Sequence, residues 1–184
     1  MSRPDEELVA SARGGDNEAF GVLIERHQDA VATTVAAMLG STPEVDDVVQ
    51  DTMIRFYNSL HSFRGEASVL TYLKRIAVNL SLDALRARKR WYDRFVRQDD
   101  EASLADIVDE NRLLEDNETN ALVNGALASL SPPHRAVVVL RMIDGYSTEE
   151  TAAMLDVPYG TVLSRLSRGL DKLKALLEPY MEEE

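Results

Sequence analysis

Between residues 45 and 60 the side chains Val45, Val48, Val49, Thr52, Met53, Phe56, Tyr57 and Leu60 recur at intervals of three and one. That spacing lays them in one stripe along a helix of about 18 residues and is incompatible with the two-residue alternation of a half-buried strand. Thr42-Pro43 just before it predicts an N-cap with proline at the first helical position. The same period governs most of the chain. Phe20, Leu23, Ile24, His27, Val31, Val35, Met38 and Leu39 form a second long helix closed by Gly40, and a short helix from Glu6 to Ala12 precedes it, stopped by Gly14-Gly15. Ser68 is placed to cap a fourth helix that buries Leu70, Leu73, Ile76, Ala77, Leu80 and Ala84 and continues into Arg86-Ala87-Arg88-Lys89-Arg90. No alternating run with Asn-Gly or Asp-Gly turns interrupts this pattern. The expected fold is all-α.

The period lapses over residues 98–120, an acidic stretch with too few apolar side chains to close a core, and resumes at Ala121. Two small helical domains, 1–97 and 121–184, joined by a flexible acidic linker over 98–120, are the expected organisation, with an acidic tail at the C-terminal end. Leu122, Leu127, Leu130, Val137, Val138, Leu140 and Met142 supply the apolar positions after the linker.

Composition excludes several functions. With no cysteine there is no disulfide, thiolate zinc site or cysteine nucleophile, and the three histidines (His27, His61, His134) lack metal-ligand spacing. No carboxylate–histidine pairing suggests catalysis, so neither an enzyme, a cofactor, a metal nor a small-molecule substrate is expected. No apolar run approaches the roughly 18 residues of a membrane span, and the acidic start MSRPDEELVA does not resemble a signal peptide. A cytoplasmic protein without membrane insertion is the simplest expectation.

The net charge of −12 argues at first against a nucleic-acid partner. Its distribution reverses that inference. Residues 64–97 carry nine basic and three acidic side chains, while residues 1–63 carry four and eleven and residues 98–131 carry one and nine. A basic surface is thus flanked by segments suited to avoid DNA or to meet a basic protein.

The segment from Ser147 to Leu166 reads as a helix-turn-helix. Ser147 and Glu150 make a capping box, Ala152 and Leu155 are expected to face inward, Asp156-Val157-Pro158 is a tight turn, and Val162, Leu166, Leu170 and Leu173 align along the second helix. At 100° per residue Thr161, Ser164, Arg165, Arg168 and Lys172 share another face, where hydroxyl and guanidinium groups can read base edges in a major groove.

These motifs resemble the extracytoplasmic-function (ECF) group of the bacterial sigma-70 family. Val45-Asp46-Asp47-Val48-Val49-Gln50-Asp51 with Phe56, Phe63-Arg64-Gly65, and Leu73-Lys74-Arg75-Ile76-Ala77-Val78-Asn79-Leu80 are similar to the family's region 2. Leu130 to Arg135 and Gly160 to Arg168 are similar to its region 4. Tyr72, Thr151 and Leu163 stand where the family usually has tryptophan, isoleucine and often a basic residue.

The resemblance implies a sigma factor that binds core RNA polymerase and directs promoter recognition and melting. Asp46, Asp47, Gln50 and Asp51 would dock on the β′ clamp helices, and the second domain would meet the β flap. Phe63, Arg64 and Gly65 would belong to a loop that pockets a flipped base of the −10 element, with Lys74, Arg75, Asn79, Asp83 and Arg86 on the following helix. Gly160, Thr161, Ser164, Arg165, Arg168 and Lys172 would read the −35 element. An anti-sigma partner is implied as well. The rival reading is a helix-turn-helix transcription regulator with an N-terminal sensing domain, against which residues 1–97 offer no βα pattern and no glycine-rich ligand loop.

Overall fold

The computed structural model describes residues 3–95 and 118–181. Among these residues there are eight α-helices and no strand. Four belong to the N-terminal body: α1 (Asp5–Arg13), α2 (Asn17–Leu39), α3 (Glu44–Ser59) and α4 (Val69–Phe95). Four follow: α5 (Glu118–Ala128), α6 (Pro132–Val138), α7 (Thr148–Leu155) and α8 (Tyr159–Met181). Most of the acidic stretch assigned as a linker, residues 98–117, lies outside the described residues. Glu118, Thr119 and Asn120, at the end of that stretch, already belong to α5.

The helix α2 is the axis of the N-terminal body and packs against α1, α3 and α4. Asp16 caps it by accepting from the Ala19 amide, and it ends at Gly40, whose φ of 77° a β-carbon would strain. Leu23, Val31, Val35 and Met38 from α2 meet Phe56 from α3 and Leu73, Ala77 and Val78 from α4, all essentially sealed from solvent. His27 belongs to this packing, its Nε2 2.8 Å from an Asp5 carboxylate oxygen, which pins α1 to α2.

Several expectations about helix ends and faces need correction. The Thr42 side chain does not cap α3. Pro43 already has helical angles (φ −57°, ψ −24°), as expected of a first helical residue, and the Thr42 carbonyl accepts from the Val45 amide at 3.0 Å, but the Thr42 hydroxyl is buried without a partner. In α7 it is Thr148, Thr151 and Met154 that are buried, with Ala152 and Leu155 only partly covered. In α8 the covered line runs through Val162, Leu166, Gly169 and Leu173, while Leu170 is turned outward.

Gly169 explains that last rotation. A β-carbon there would stand 2.8 Å from Val138 Cγ2 in α6, so only glycine permits this close approach of the two helices. Valine is stiff at χ1 within a helix and cannot swing aside. Gly169→Ala is therefore expected to destabilise the C-terminal body by about 1–3 kcal/mol, the usual cost of overpacking. Thermal unfolding checks it: an unchanged Tm would contradict this contact.

After α6 the backbone continues in a wider π-helical turn, Val139–Ile143, closed by the Asp144 amide on the Val139 carbonyl at 2.9 Å. The extra residue per turn shifts the face and turns Met142, expected with the core, out to solvent. It also aims Asp144 back at the N-terminal body. Gly145 at φ 76° then redirects the chain into α7.

Candidate nucleic-acid and protein interfaces

The proposed docking strip is fully displayed. Asp46, Asp47, Gln50 and Asp51 are exposed on α3, opposite the face that buries Val48, Thr52, Met53 and Phe56. Beside them runs an apolar groove between α2 and α3, lined by Phe20, Ile24, Val49, Met53, Ile54 and Tyr57. Ile54 is 50% exposed and Tyr57 46%, large apolar areas for a surface otherwise so acidic. Acidic groups ringing an apolar floor suit a partner helix that presents basic and apolar side chains. Sequence reasoning found the charges and missed the groove, having placed Tyr57 on the buried stripe. The signal that could have found it was Ile54, an apolar residue out of phase with that stripe.

The loop from His61 to Ser68 is held from below. Phe63 is not presented to solvent: it is buried, edge-on to both Phe56 and Tyr72, with ring centroids 6.0 and 5.0 Å away. Its role is to anchor the loop, not to offer a stacking face. Tyr72 fills the position expected to be aromatic and completes this cluster. Arg13 donates to the carbonyl oxygens of Leu60, at 2.7 Å, and of Phe63, fixing the loop's entry. Arg64 to Ser68 are exposed, Gly65 adopts φ 71°, and the Ser68 hydroxyl accepts from the Thr71 amide at 3.1 Å to start α4. The loop crest is thus free backbone on a rigid base.

Arg75, Asn79, Asp83 and Arg86 follow one another at intervals of four, four and three along the exposed side of α4. The Asn79 amide donates to the Arg75 carbonyl at 2.9 Å, and Arg86 lies 3.0 Å from Asp83. These are exposed, local contacts that an incoming phosphate or base can displace at little cost. Lys89 and Arg90 extend the basic surface, and Arg88 is partly engaged with Glu44 at 2.5 Å.

Lys74 departs from its expected role. Its ammonium is turned inward and lies 2.5 Å from Asp144 of the π-helical turn, both side chains buried, so in this form it cannot reach DNA. The four-residue offset that aligns Lys74 with Val78 and Leu82 places it on the covered face of α4, one step round from Arg75.

In the helix-turn-helix, both arms of the capping box form. The Ser147 hydroxyl accepts from the Glu150 amide at 3.1 Å, and the Glu150 carboxylate accepts from the Ser147 amide at 2.8 Å, holding that carboxyl below its ordinary pKa. Asp156 closes α7 in the left-handed region (φ 51°), a conformation aspartate tolerates, and so sets the angle at which α8 leaves.

Thr161, Ser164, Arg165, Arg168 and Lys172 share one side of α8, with Gly160 exposed ahead of them. The Ser164 hydroxyl donates to the Thr161 carbonyl at 3.1 Å, and Lys172 donates to the Ser129 carbonyl at 2.6 Å, which ties the foot of the row to the end of α5. Leu163, 46% exposed, lies outside this bonded row. Burial, and then the charges of Arg165, Arg168 and Lys172, push the His134 imidazole below its ordinary pKa. Burial leads that depression, and the three cations of the face add to it. Among the described residues no group of three or more metal-ligating side chains is assembled, and no helix is long and apolar enough to cross a membrane.

Two family matches divide the chain at the same place as its architecture: sigma-70 region 2 over residues 23–91 and sigma-70 region 4 over residues 121–173. Region 2 followed by region 4, carried on an all-helical frame that ends in a helix-turn-helix, makes the chain a sigma factor for transcription initiation. Two curated relatives narrow the class. The chain is 35% identical to the ECF RNA polymerase sigma-E factor of Escherichia coli (strain K12), with 96% of each chain covered. It is 33% identical to that of Haemophilus influenzae, with 96% of this chain and 97% of the relative covered. The chain belongs to the extracytoplasmic-function group of the sigma-70 family.

Among solved structures it is similar to CnrH in complex with the cytosolic domain of CnrY, with 31% identity, a TM-score of 0.66, and 95% of this chain and 97% of the other covered. The fold also matches the sigma factor RpoE of Bartonella quintana, solved with the anti-sigma factor NepR, with a TM-score of 0.68 at 22% identity over 86% and 96% of the two chains.

Proposed function

We propose that the two bodies divide promoter recognition between them. Residues 1–97 dock on core RNA polymerase through Asp46, Asp47, Gln50 and Asp51 and capture the melted −10 element with the 64–68 loop crest, Arg75, Asn79, Asp83 and Arg86. Residues 121–184 read the −35 duplex through Gly160, Thr161, Ser164, Arg165, Arg168 and Lys172 and meet the β flap. The chain performs no catalysis of its own and works in the cytoplasm, where the polymerase is. The similarity to CnrH, which was solved with the cytosolic domain of CnrY, supports a further protein partner for this chain, an anti-sigma factor in this reading.

The observation that carries this reading is the juxtaposition on α3 of four exposed polar and acidic side chains with the groove floored by Ile54 and Tyr57. Docking there on the β′ clamp helices combines apolar burial, which supplies affinity, with charge complementarity, which supplies association rate and register. Asp47→Lys places a cation against a basic partner while leaving the buried face of α3 untouched. Its affinity for core polymerase is expected to fall at least tenfold at low salt, or about 1.4 kcal/mol, with the deficit narrowing as salt rises. Far-UV circular dichroism should not change. Equal affinity of variant and wild type across the salt series would remove α3 from the docking surface.

A further inference from the structure

The outward face of α8 has two unlike edges. Val162, Leu166, Gly169 and Leu173 form its covered line, and at about 100° per residue Ser164 points away from them. To one side of Ser164 stand Thr161, Arg165, Arg168 and Lys172, with their hydroxyl, guanidinium and ammonium groups. To the other stand Tyr159, Leu163 and Leu170, which are 50%, 46% and 37% exposed.

An exposed leucine needs no explanation by itself. Leu163 differs in its place. The second helix of a helix-turn-helix lies in the major groove and contacts base edges with its N-terminal residues. Leu163 belongs to the second turn of α8, directly beside Ser164, whereas Leu170 follows about 10 Å further along the axis. Whatever a groove-bound Leu163 meets is apolar, because its side chain has neither donor nor acceptor. Set against a phosphate or a polar base edge, it would exclude water and leave that group unsatisfied. Among the base edges of the major groove, thymine alone offers an apolar group, its C5 methyl.

We propose, resting on α8 as the helix that reads the −35 duplex, that Leu163 is a specificity-determining residue that packs on a thymine C5 methyl in that element. The two edges then select by different chemistry. The guanidinium edge favours guanine, whose N7 and O6 accept hydrogen bonds, and phosphate. The leucine edge favours thymine over cytosine, which lacks the methyl and turns an N4 amino donor toward a side chain that cannot accept.

Deoxyuridine differs from thymidine by that methyl alone. Core polymerase reconstituted with the full chain selects a −35 element from a randomised duplex library, and each thymine of the selected element, on either strand, is then replaced in turn by deoxyuridine. One replacement should weaken binding about fourfold, the factor equivalent to ~0.8 kcal/mol for one buried methyl-sized group. With Leu163→Ala the same replacement should change binding less than twofold, and selection with Leu163→Lys should no longer recover thymine there. Leu163 lies on the surface, so both variants keep the core of the C-terminal body. No methyl-sensitive thymine with the wild type, or an undiminished uridine penalty with Leu163→Ala, would overturn the role of Leu163. A Leu163→Ala holoenzyme weakened alike on thymine and uridine templates would place Leu163 against protein instead of DNA and overturn it too. Arg168→Ala separates this failure from that of the broader reading. If it weakens binding while the uridine penalty ignores residue 163, only the methyl contact falls. If Arg168→Ala and Leu163→Ala both bind every template as the wild type does, the assignment of −35 reading to α8 falls, and the methyl contact with it.

Discussion

Phe56→Ala is expected to destabilise the protein by about 3–5 kcal/mol, the range for deleting a fully buried aromatic ring. Phe56 is completely sealed, and its ring contacts Phe20, Phe63 and Tyr72 at centroid distances of 6.1, 6.0 and 6.0 Å. Those partners come from α2, the loop and α4, so the cavity left by alanine would open where all three meet and no single side chain could refill it. Loss of the ring pairs adds to the cost of the cavity. Urea unfolding should show a lower midpoint with an unchanged slope. Because Phe63 anchors the proposed strand-capture loop through this ring, a milder change, Phe56→Leu, should retain more stability yet still loosen the loop, read as faster amide exchange from Arg64 to Ser68. A loss below about 1 kcal/mol in Phe56→Ala would contradict this account of the core.

The second large effect is expected at Arg135. Its guanidinium donates to the Met38 carbonyl at 2.6 Å, the Ala128 carbonyl at 2.5 Å and the Leu130 carbonyl at 3.2 Å. It thus satisfies groups at the C-terminal ends of α2 and α5, where backbone carbonyls lack partners and the helix dipole favours a cation. Burial pushes its pKa down to about 10, with Arg88 adding a smaller repulsion, so the group remains charged at neutral pH. Arg135→Ala leaves those carbonyls without their cationic donor in a space that water enters poorly, at a cost on the order of 3 kcal/mol. Arg135→Lys should rescue little, because one ammonium cannot reproduce a planar fork reaching two helices. Thermal unfolding decides it, and a lysine variant as stable as the wild type would refute the role of the fork.

Much of this architecture was legible because helical period and caps are local signals. The stripe on α3, apart from Tyr57, the end of α2 at Gly40 and the Ser147–Glu150 capping box are written in consecutive residues and appear where expected. The misses are those that depend on a neighbour. Leu170 yields its inward place to Gly169 because α6 approaches too closely for a side chain. Met142 turns outward because a single π-helical turn breaks the period on which its placement relied. Thr42 precedes a helical Pro43 as expected, yet its buried hydroxyl finds no amide to cap.

The candidate site follows the same division. Exposed polar rows such as Asp46, Asp47, Gln50 and Asp51, or Ser164 and Arg168, can be counted along a helix. Phe63 and Lys74 could not be placed that way, since one is buried by an aromatic cluster drawn from two helices and the other by Asp144, 70 residues further along the chain. A lysine in a basic segment is naturally read as a phosphate contact. Only the fold shows its carboxylate partner.

Permanganate reactivity of unpaired thymines, read beside duplex occupancy on a promoter fragment, tests the division of labour most directly. Core polymerase reconstituted with this chain should occupy the fragment, expose thymines in the −10 element and yield a run-off transcript. Asn79→Ala should keep occupancy and lose reactivity. Arg165→Ala and Arg168→Ala should lose occupancy, with each lost base contact costing on the order of 1–3 kcal/mol and relaxing the preference in the −35 element. Region 4 variants that failed to melt at normal occupancy, with a region 2 variant that lost only duplex affinity, would contradict the assignment of strand capture to α4 and duplex reading to α8.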